Sequence, residues 1–508
     1  MAMTRLLGLA FVGALISGMA LAQPRVVINE IQYDDLGTDD REFVELYNAG
    51  NQPADITGWK LLAGDLADFT DDNPDYTIGD TNGDGTPDTT VILAPGAFYV
   101  IGTNTGLVPN VNQRVGANNL WENDNEWLAL VDTNNQIVDA VAYEAFQGQN
   151  FPAHINAAAG PGIWGELTAT DGGATDITFQ SWSRYRDGVD TNNSARDFVL
   201  VPATPGASNN VPAPPSCRIA ENFDNLSVGT AVPNWTGSFR NPRVIDPTQT
   251  GAPAINPNAI SVSPQGGNAM IAWDWAGGGN QAALNYLYEG RAGYDMLVYI
   301  DPTQRTGDDH EAWAIGVLGT SDTYFRMPYR ATSPATTSGC GITGVAWVFY
   351  RDSSIGQLQL VDAGDGGDSI PNSTASRRWQ VLQTIDLSSY SPGWYRLSLV
   401  VRNGVIRARF DNIRVCGTTE PRTGQVYIGY REFIVDNATT RPPTIDDLTV
   451  FVPVEGDVNY DGVVNNADLL EVLFNFGSTS CSDADLNGDG TVNNADLLVV
   501  LFNFGSSC

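Results

Sequence analysis

Asp457-Val458-Asn459-Tyr460-Asp461-Gly462-Val463-Val464-Asn465-Asn466-Ala467-Asp468 is repeated 28 residues later as Asp485-Leu486-Asn487-Gly488-Asp489-Gly490-Thr491-Val492-Asn493-Asn494-Ala495-Asp496. Side-chain oxygens stand at positions 1, 3, 5, 9 and 12 of each stretch: Asp457, Asn459, Asp461, Asn465 and Asp468, then Asp485, Asn487, Asp489, Asn493 and Asp496. Gly462 and Gly490 supply a sharp turn at position 6, and the carbonyls of Val463 and Thr491 are available at position 7. This is the oxygen cage that a hard Ca²⁺ ion requires, so two calcium ions are expected here. Each loop runs into an apolar helical pattern, Leu469-Leu470-Glu471-Val472-Leu473-Phe474 and Leu497-Leu498-Val499-Val500-Leu501-Phe502. From Glu455 to the end there are nine acidic residues and no basic one, so the tail repels itself and its folding is expected to be coupled to calcium.

Asp at position 12 in place of the Glu of an ordinary EF-hand, the missing entering helix and the tandem copy together resemble the dockerin type I family over residues 455–508. The resemblance implies a small α-helical calcium-binding domain that docks to a cohesin-like partner through positions 10 and 11. Those positions are Asn466-Ala467 and Asn494-Ala495, the same dipeptide twice, which implies two equivalent docking faces. An anchor that attaches to a cell-envelope component without any cohesin is the alternative. In a tandem of this kind the units are expected to pack antiparallel and bring Cys508 back to Cys481, closing a disulfide; the competing pairings involve Cys217, Cys340 or Cys416.

Working outward, residues 217–453 open with Glu221-Asn222-Phe223-Asp224-Asn225-Leu226 and close with Ile445-Asp446-Asp447-Leu448-Thr449-Val450. Two alternating runs, Tyr395 to Val401 and Val405 to Phe410, flank Asn403-Gly404, a strong hairpin signal. Start, end and hairpin look like a concanavalin A-like jelly roll of laminin-G type. Ahead of it, Val211-Pro212-Ala213-Pro214-Pro215 reads as a stiff linker within 209–216.

Residues 25–208 carry short β-prone runs at Val26–Ile31, Glu42–Tyr47, Phe98–Ile101, Trp127–Val131 and Ile137–Tyr143, the pattern of an all-β sandwich. The wording of Ile28-Asn29-Glu30-Ile31, Glu42-Phe43-Val44-Glu45-Leu46 with Asn48, Asp55-Ile56-Thr57-Gly58-Trp59, Ser183-Arg184 and Thr204-Pro205-Gly206 resembles the lamin tail domain. That implies an immunoglobulin-like fold with no catalytic residues to carry over. The chain is therefore expected to be mainly β: an immunoglobulin-like sandwich, a jelly roll, then the helical tail. Within the first segment, Asp80, Asn82, Asp84 and Asp88 place oxygens at positions 1, 3, 5 and 9 of an acidic loop that has Val91 at 12. It reads either as a third calcium loop completed by water or as a plain Asp/Gly turn.

At the N-terminus Arg5 precedes an apolar run from Leu6 to Leu21 ending in Ala20-Leu21-Ala22, which reads as a signal peptide over 1–22. An uncleaved anchor is the alternative. No later run is long enough for a spanning helix, so an extracellular or cell-surface protein without a membrane span is expected. The net charge of -33, from 59 acidic and 26 basic residues, argues against nucleic acid as a partner. Two His and one Lys leave few imidazoles or amines for metallohydrolase chemistry.

A glycoside hydrolase remains the rival to a non-catalytic binding or scaffold protein, in which case the dockerin would bring it to a polysaccharide. The Glu-x-Asp-x-x-Glu motif of retaining jelly-roll enzymes does not occur between Cys217 and Pro453. The nearest acidic cluster, Asp308-Asp309-His310-Glu311, reads as a solvated turn. Trp273, Trp275 and Trp313 read as sugar-stacking platforms or as core.

Overall fold

A computed structural model describes residues 25–508 apart from 36–37, 65–74, 123–125, 145–150, 161, 164–178, 222, 238–241, 247–268, 272–277, 303–310, 321–341, 352–355, 365–379 and 433–443. The signal peptide, Cys340, Trp273, Trp275 and Asp308-Asp309-His310 lie outside the described residues.

Short β-prone runs, several of them buried along their whole length, build the first domain as a sandwich. One sheet runs in the spatial order Phe198–Pro202, Gln180–Arg184, Val26–Gln32, Phe43–Asn48, Phe98–Gly102 and Gln113–Arg114. The facing sheet runs Ile137–Tyr143, Glu126–Val131, Lys60–Gly64 and Tyr76–Thr77. Ile28, Val44, Leu46, Leu128, Leu130, Val141 and Trp182 meet between them.

The residues that carried the lamin-tail resemblance act here as cement. Glu30 accepts hydrogen bonds from the Thr204 N–H at 2.7 Å and the Ser181 hydroxyl at 2.5 Å. Glu45 accepts from Gly206 N–H at 2.7 Å and from the Asn29 amide at 3.0 Å, and Glu42 from Leu120 N–H at 2.7 Å. Arg184, 1% exposed, bridges Asp139 and Asp197 at 2.8 and 3.0 Å. Burial raises three of these carboxyls: Glu30 to about 7, Glu42 to about 8, and Glu45, helped by the charge of Glu30, to about 9.

Residues 217–453 form two eight-stranded antiparallel sheets. One is centred on Thr444–Phe451, Arg291–Ile300, Gly393–Arg402 and Val405–Phe410, the other on Thr423–Glu432, Glu311–Gly319, Gly344–Arg351 and Gly356–Gly364. Asn403 and Gly404 turn the predicted hairpin with φ of 50° and 84°, and Arg402 pairs with Val405 across it. Trp313 is core, 2% exposed and stacked on Phe349 with centroids 5.2 Å apart. The stretch read as a linker is stitched to both neighbours. Val211 is buried with Val199, Val201 and Leu287, its N–H donates to Tyr185, and the Pro212 carbonyl accepts from Leu287.

In the tail, helices Asn466–Phe474 and Asn494–Phe502 each begin with a capping box, Asn465 with Asp468 and Asn493 with Asp496. Past each helix a glycine at positive φ, Gly477 at 82° and Gly505 at 84°, reverses the chain. The end of each copy then pairs with the loop of the other. Val492 N–H donates to Ser478 at 2.9 Å and Val464 N–H to Ser506 at 2.8 Å, contacts related by the repeat. Val458, Val464, Val472, Leu486, Val492 and Val500 fill the small core between the copies.

This reciprocal packing corrects the expected Cys481–Cys508 bond. It carries the end of the second copy to the first loop, where Cys508 N–H donates to Gly462, while Cys481 remains beside the second loop. The cysteines therefore lie on opposite sides of the tail and bond to the jelly roll instead. Cys508 pairs with Cys217 and Cys481 with Cys416, with Cα separations of 5.4 and 5.5 Å.

Two expectations follow. Non-reducing peptide mapping should recover Cys217–Cys508 and Cys416–Cys481 cross-links; a Cys481–Cys508 peptide would contradict the seating of the tail. The second concerns pH. Unfolded, the buried glutamates titrate near 4.5, whereas folded they keep their protons to between about 7 and 9. Their contribution is thus fully present below pH 4.5 and is lost as pH rises through that window. Calorimetry should show the first domain melting at lower temperature at pH 9 than at pH 5. Glu30→Gln, which keeps an acceptor and removes the charge, should raise the pH 9 transition by roughly 2–4 °C.

Candidate calcium loops and docking faces

The 12 residues of each tail loop are wrapped by their own side-chain oxygens. Asp457 Oδ2 accepts from Gly462 N–H at 2.8 Å, Asn459 Oδ1 from Asp461 at 2.9 Å, and Asp461 Oδ1 from Val463 at 2.9 Å. The second copy repeats this: Asp485 Oδ2 with Gly490 at 3.1 Å, Asn487 with Asp489 at 2.9 Å, and Asp489 with Thr491 at 2.9 Å. Asp468 and Asp496 close the loops. Each takes the position 2 N–H on one oxygen, at 2.8 and 2.7 Å, and the helix N-cap N–H on the other, at 2.9 and 2.8 Å.

The predicted ligands at positions 1, 3, 5 and 12 are thus tied to the backbone of their own loop in each copy, whereas Asn465 and Asn493 at position 9 turn their Oδ1 to the N–H groups of Ala467 and Ala495 at 2.7 Å as helix caps. With the carboxylates turned onto backbone N–H groups, no three of them stand together as a preformed metal cage among the described residues. The donor set nevertheless fits a hard cation. Asp457 Oδ1 is buried without a hydrogen-bond partner, and burial with the nearby charges of Asp468 and Asp461 pushes this carboxyl up to about 6. A divalent cation there would satisfy the oxygen and favour the ionised form.

The acidic loop of the first domain follows the same wiring. Asp80 Oδ2 accepts from Gly85 N–H at 2.7 Å, Asn82 from Asp84 at 2.9 Å, and Asp84 from Thr86 at 2.9 Å. Asp88 takes the N–H groups of Thr81 and Asn82 at 3.0 and 3.2 Å, the task of the position 12 aspartates in the tail.

Asn466, Ala467, Asn494 and Ala495 are all exposed at the starts of the helices. The tail helices and the turns after them also expose apolar side chains at matched positions of the two copies. Phe474 and Phe502 are 81% and 82% exposed, Leu470 and Leu498 48% and 47%, and Phe476 and Phe504 49% each. Such agreement means that both faces are equally open while the tail is seated. Leu470, Phe474, Leu498 and Phe502 were visible in the sequence as part of the apolar helical pattern, without a sign of which of them face outward. Two jelly-roll arginines that reach the loops, Arg402 and Arg407, carried no sequence signal at all.

Among the described residues no helix is long and apolar enough to cross a membrane. Residues 20–145 match the family model of the Lamin Tail Domain and residues 455–501 that of the Dockerin type I domain. No curated protein matches the chain. Similar solved structures include the VIP36 exoplasmic/lumenal domain in its Ca²⁺-bound form, at 10% identity and TM-score 0.27, covering 47% of this chain and 90% of that one. The Apo Crh5 transglycosylase is similar at 9% identity and TM-score 0.26, covering 48% and 87%. The metal-free Emp46p carbohydrate recognition domain is similar at 13% and 0.24, covering 37% and 83%. The chain thus carries a lamin tail domain in its N-terminal part and a dockerin type I domain at its C-terminal end, on either side of a jelly roll.

Proposed function

We propose that this is an exported, non-catalytic binding or scaffold protein whose tail folds around two calcium ions and attaches the other two domains to a cohesin-like or cell-envelope partner. Dockerin domains bind cohesins, and the observation that carries the reading is the pair of equally exposed faces at Asn466-Ala467 and Asn494-Ala495. A partner that fits one face fits the other after a half-turn. Exposed aromatic and aliphatic side chains at matched positions of the two copies, together with the small polar ones at the helix starts, give the composition of an energetically focused interface. Calcium would be held in each loop by the aspartates and asparagines at 1, 3, 5, 9 and 12, with Val463 and Thr491 giving carbonyls. The loop of Asp80, Asn82, Asp84 and Asp88 is proposed as a third calcium position. The jelly roll serves as the ligand-binding body, with a polysaccharide as the proposed ligand.

Chelation of the full chain should reduce the far-UV signal of the two tail helices and abolish capture of envelope partners, and Asp457→Ala and Asp485→Ala should each weaken both responses. Because the faces are equivalent, Phe474→Ala or Phe502→Ala alone should lower partner affinity about twofold or less, by loss of one of two equal binding modes, whereas the double variant should lose capture. A single substitution that eliminates binding would refute the two-face arrangement. Incubated with common glucans, the full chain should release no reducing ends; reproducible release would turn the reading towards the hydrolase.

A further inference from the structure

The Asn403-Gly404 hairpin of the jelly roll carries one arginine for each copy of the tail. Arg402 Nη1 donates to the carbonyls of Val454 and Asp457 at 3.4 and 3.3 Å. Arg407 donates through Nε to the carbonyl of Ser482 at 2.9 Å and through Nη2 to that of Asp485. Val454 and Ser482 are the same repeat position, as are Asp457 and Asp485, 28 residues apart in each case. Both arginines are buried, at 4% and 5% exposure, so the contacts are shielded from water. Two arms of one hairpin therefore hold the chain at the start of two calcium loops.

The equivalence ends at the carboxylates. Arg407 Nη2 stands 3.1 Å from Asp485 Oδ2, with both side chains under a tenth exposed, whereas Asp457 Oδ1 has no hydrogen-bond partner. The second loop also touches the jelly roll at a glycine. Gly488, where the first loop has Tyr460, lets Val405 approach, since a Cβ there would lie 2.9 Å from the Val405 side chain. The Cys416–Cys481 bond fastens the chain just ahead of it.

Resting on the calcium reading above, we propose that the hairpin is a structural part of both calcium sites and makes them unequal. Calcium enters the 457–468 loop first. The 485–496 loop takes its ion only when Asp485 turns an oxygen away from Arg407, because a buried guanidinium repels a divalent cation and its ion pair with Asp485 must be given up. Losing that ion pair should make the second site weaker by about tenfold.

The test uses the full chain carrying Asp80→Ala, which removes the third acidic loop. Asp489→Ala removes an oxygen of the second tail loop and leaves the first to be read alone, and Asp461→Ala does the converse. Calorimetric calcium titration with both tail loops intact should show two steps, the second about tenfold weaker, and the weaker step should be the one lost in Asp489→Ala. Arg407→Gln should bring that second step towards the first. Two steps of equal affinity, or loss of the tighter step in Asp489→Ala, would overturn the inequality even in the unsubstituted arginine background, so the conclusion does not hang on whether the Arg407 variant seats its tail. Equal steps would leave the calcium reading intact, whereas no binding of either ion would remove both.

Discussion

A tail with nine acidic residues and no basic one must draw its positive charge from outside itself. Part comes from the jelly roll. Arg407 pairs with Asp485, Arg414 with Asp483, both at 3.1 Å, and Arg218 donates to the Tyr460 carbonyl at 2.8 Å. The remainder, on the proposed reading, comes from calcium in the loops. At Asp485 the two sources meet on one carboxylate. The seating follows from that arrangement: loop entrances face the jelly roll, and the apolar faces of the helices are left outward.

Two disulfides reinforce this seating. Each joins the tail to the jelly roll rather than to itself, spanning 291 and 65 residues of sequence. Closing loops of this size lowers the entropy of the unfolded chain and contributes roughly 4 kcal/mol or more apiece in the chain-entropy picture. For so small a helical core this is a large term. The exposed faces of the tail helices are thereby held in a set direction relative to the jelly roll instead of swinging on a tether.

The first domain solves a different electrostatic problem. Glu30, Glu42 and Glu45 are buried and receive backbone N–H groups from segments far along the chain, so they close the sandwich rather than do chemistry. Their raised pKa values arise chiefly from desolvation. Such perturbation often marks an active site, but here each carboxylate has a structural partner. Arg184 between Asp139 and Asp197 belongs to the same class: removing it would leave two buried carboxylates without their cation.

Features whose parts lie close together in sequence were legible. The capping boxes lie within four residues and the hairpin turn within two, so local spacing and φ preference determine them, and the proposed calcium ligands likewise fall within 12 consecutive residues. The strands at Val26–Gln32, Phe43–Asn48 and Ile137–Tyr143 were likewise readable as short β-prone runs. By contrast, the disulfide partners, the hairpin arginines and the joining of residues 209–216 to both neighbours were settled only in the folded chain. Arg407 lies 78 residues from Asp485 and resembles any other strand arginine in the sequence. Repeat symmetry revealed that two copies pack together. It carried no record of which outside surface they would meet, because that depends on contacts whose partners share no local pattern.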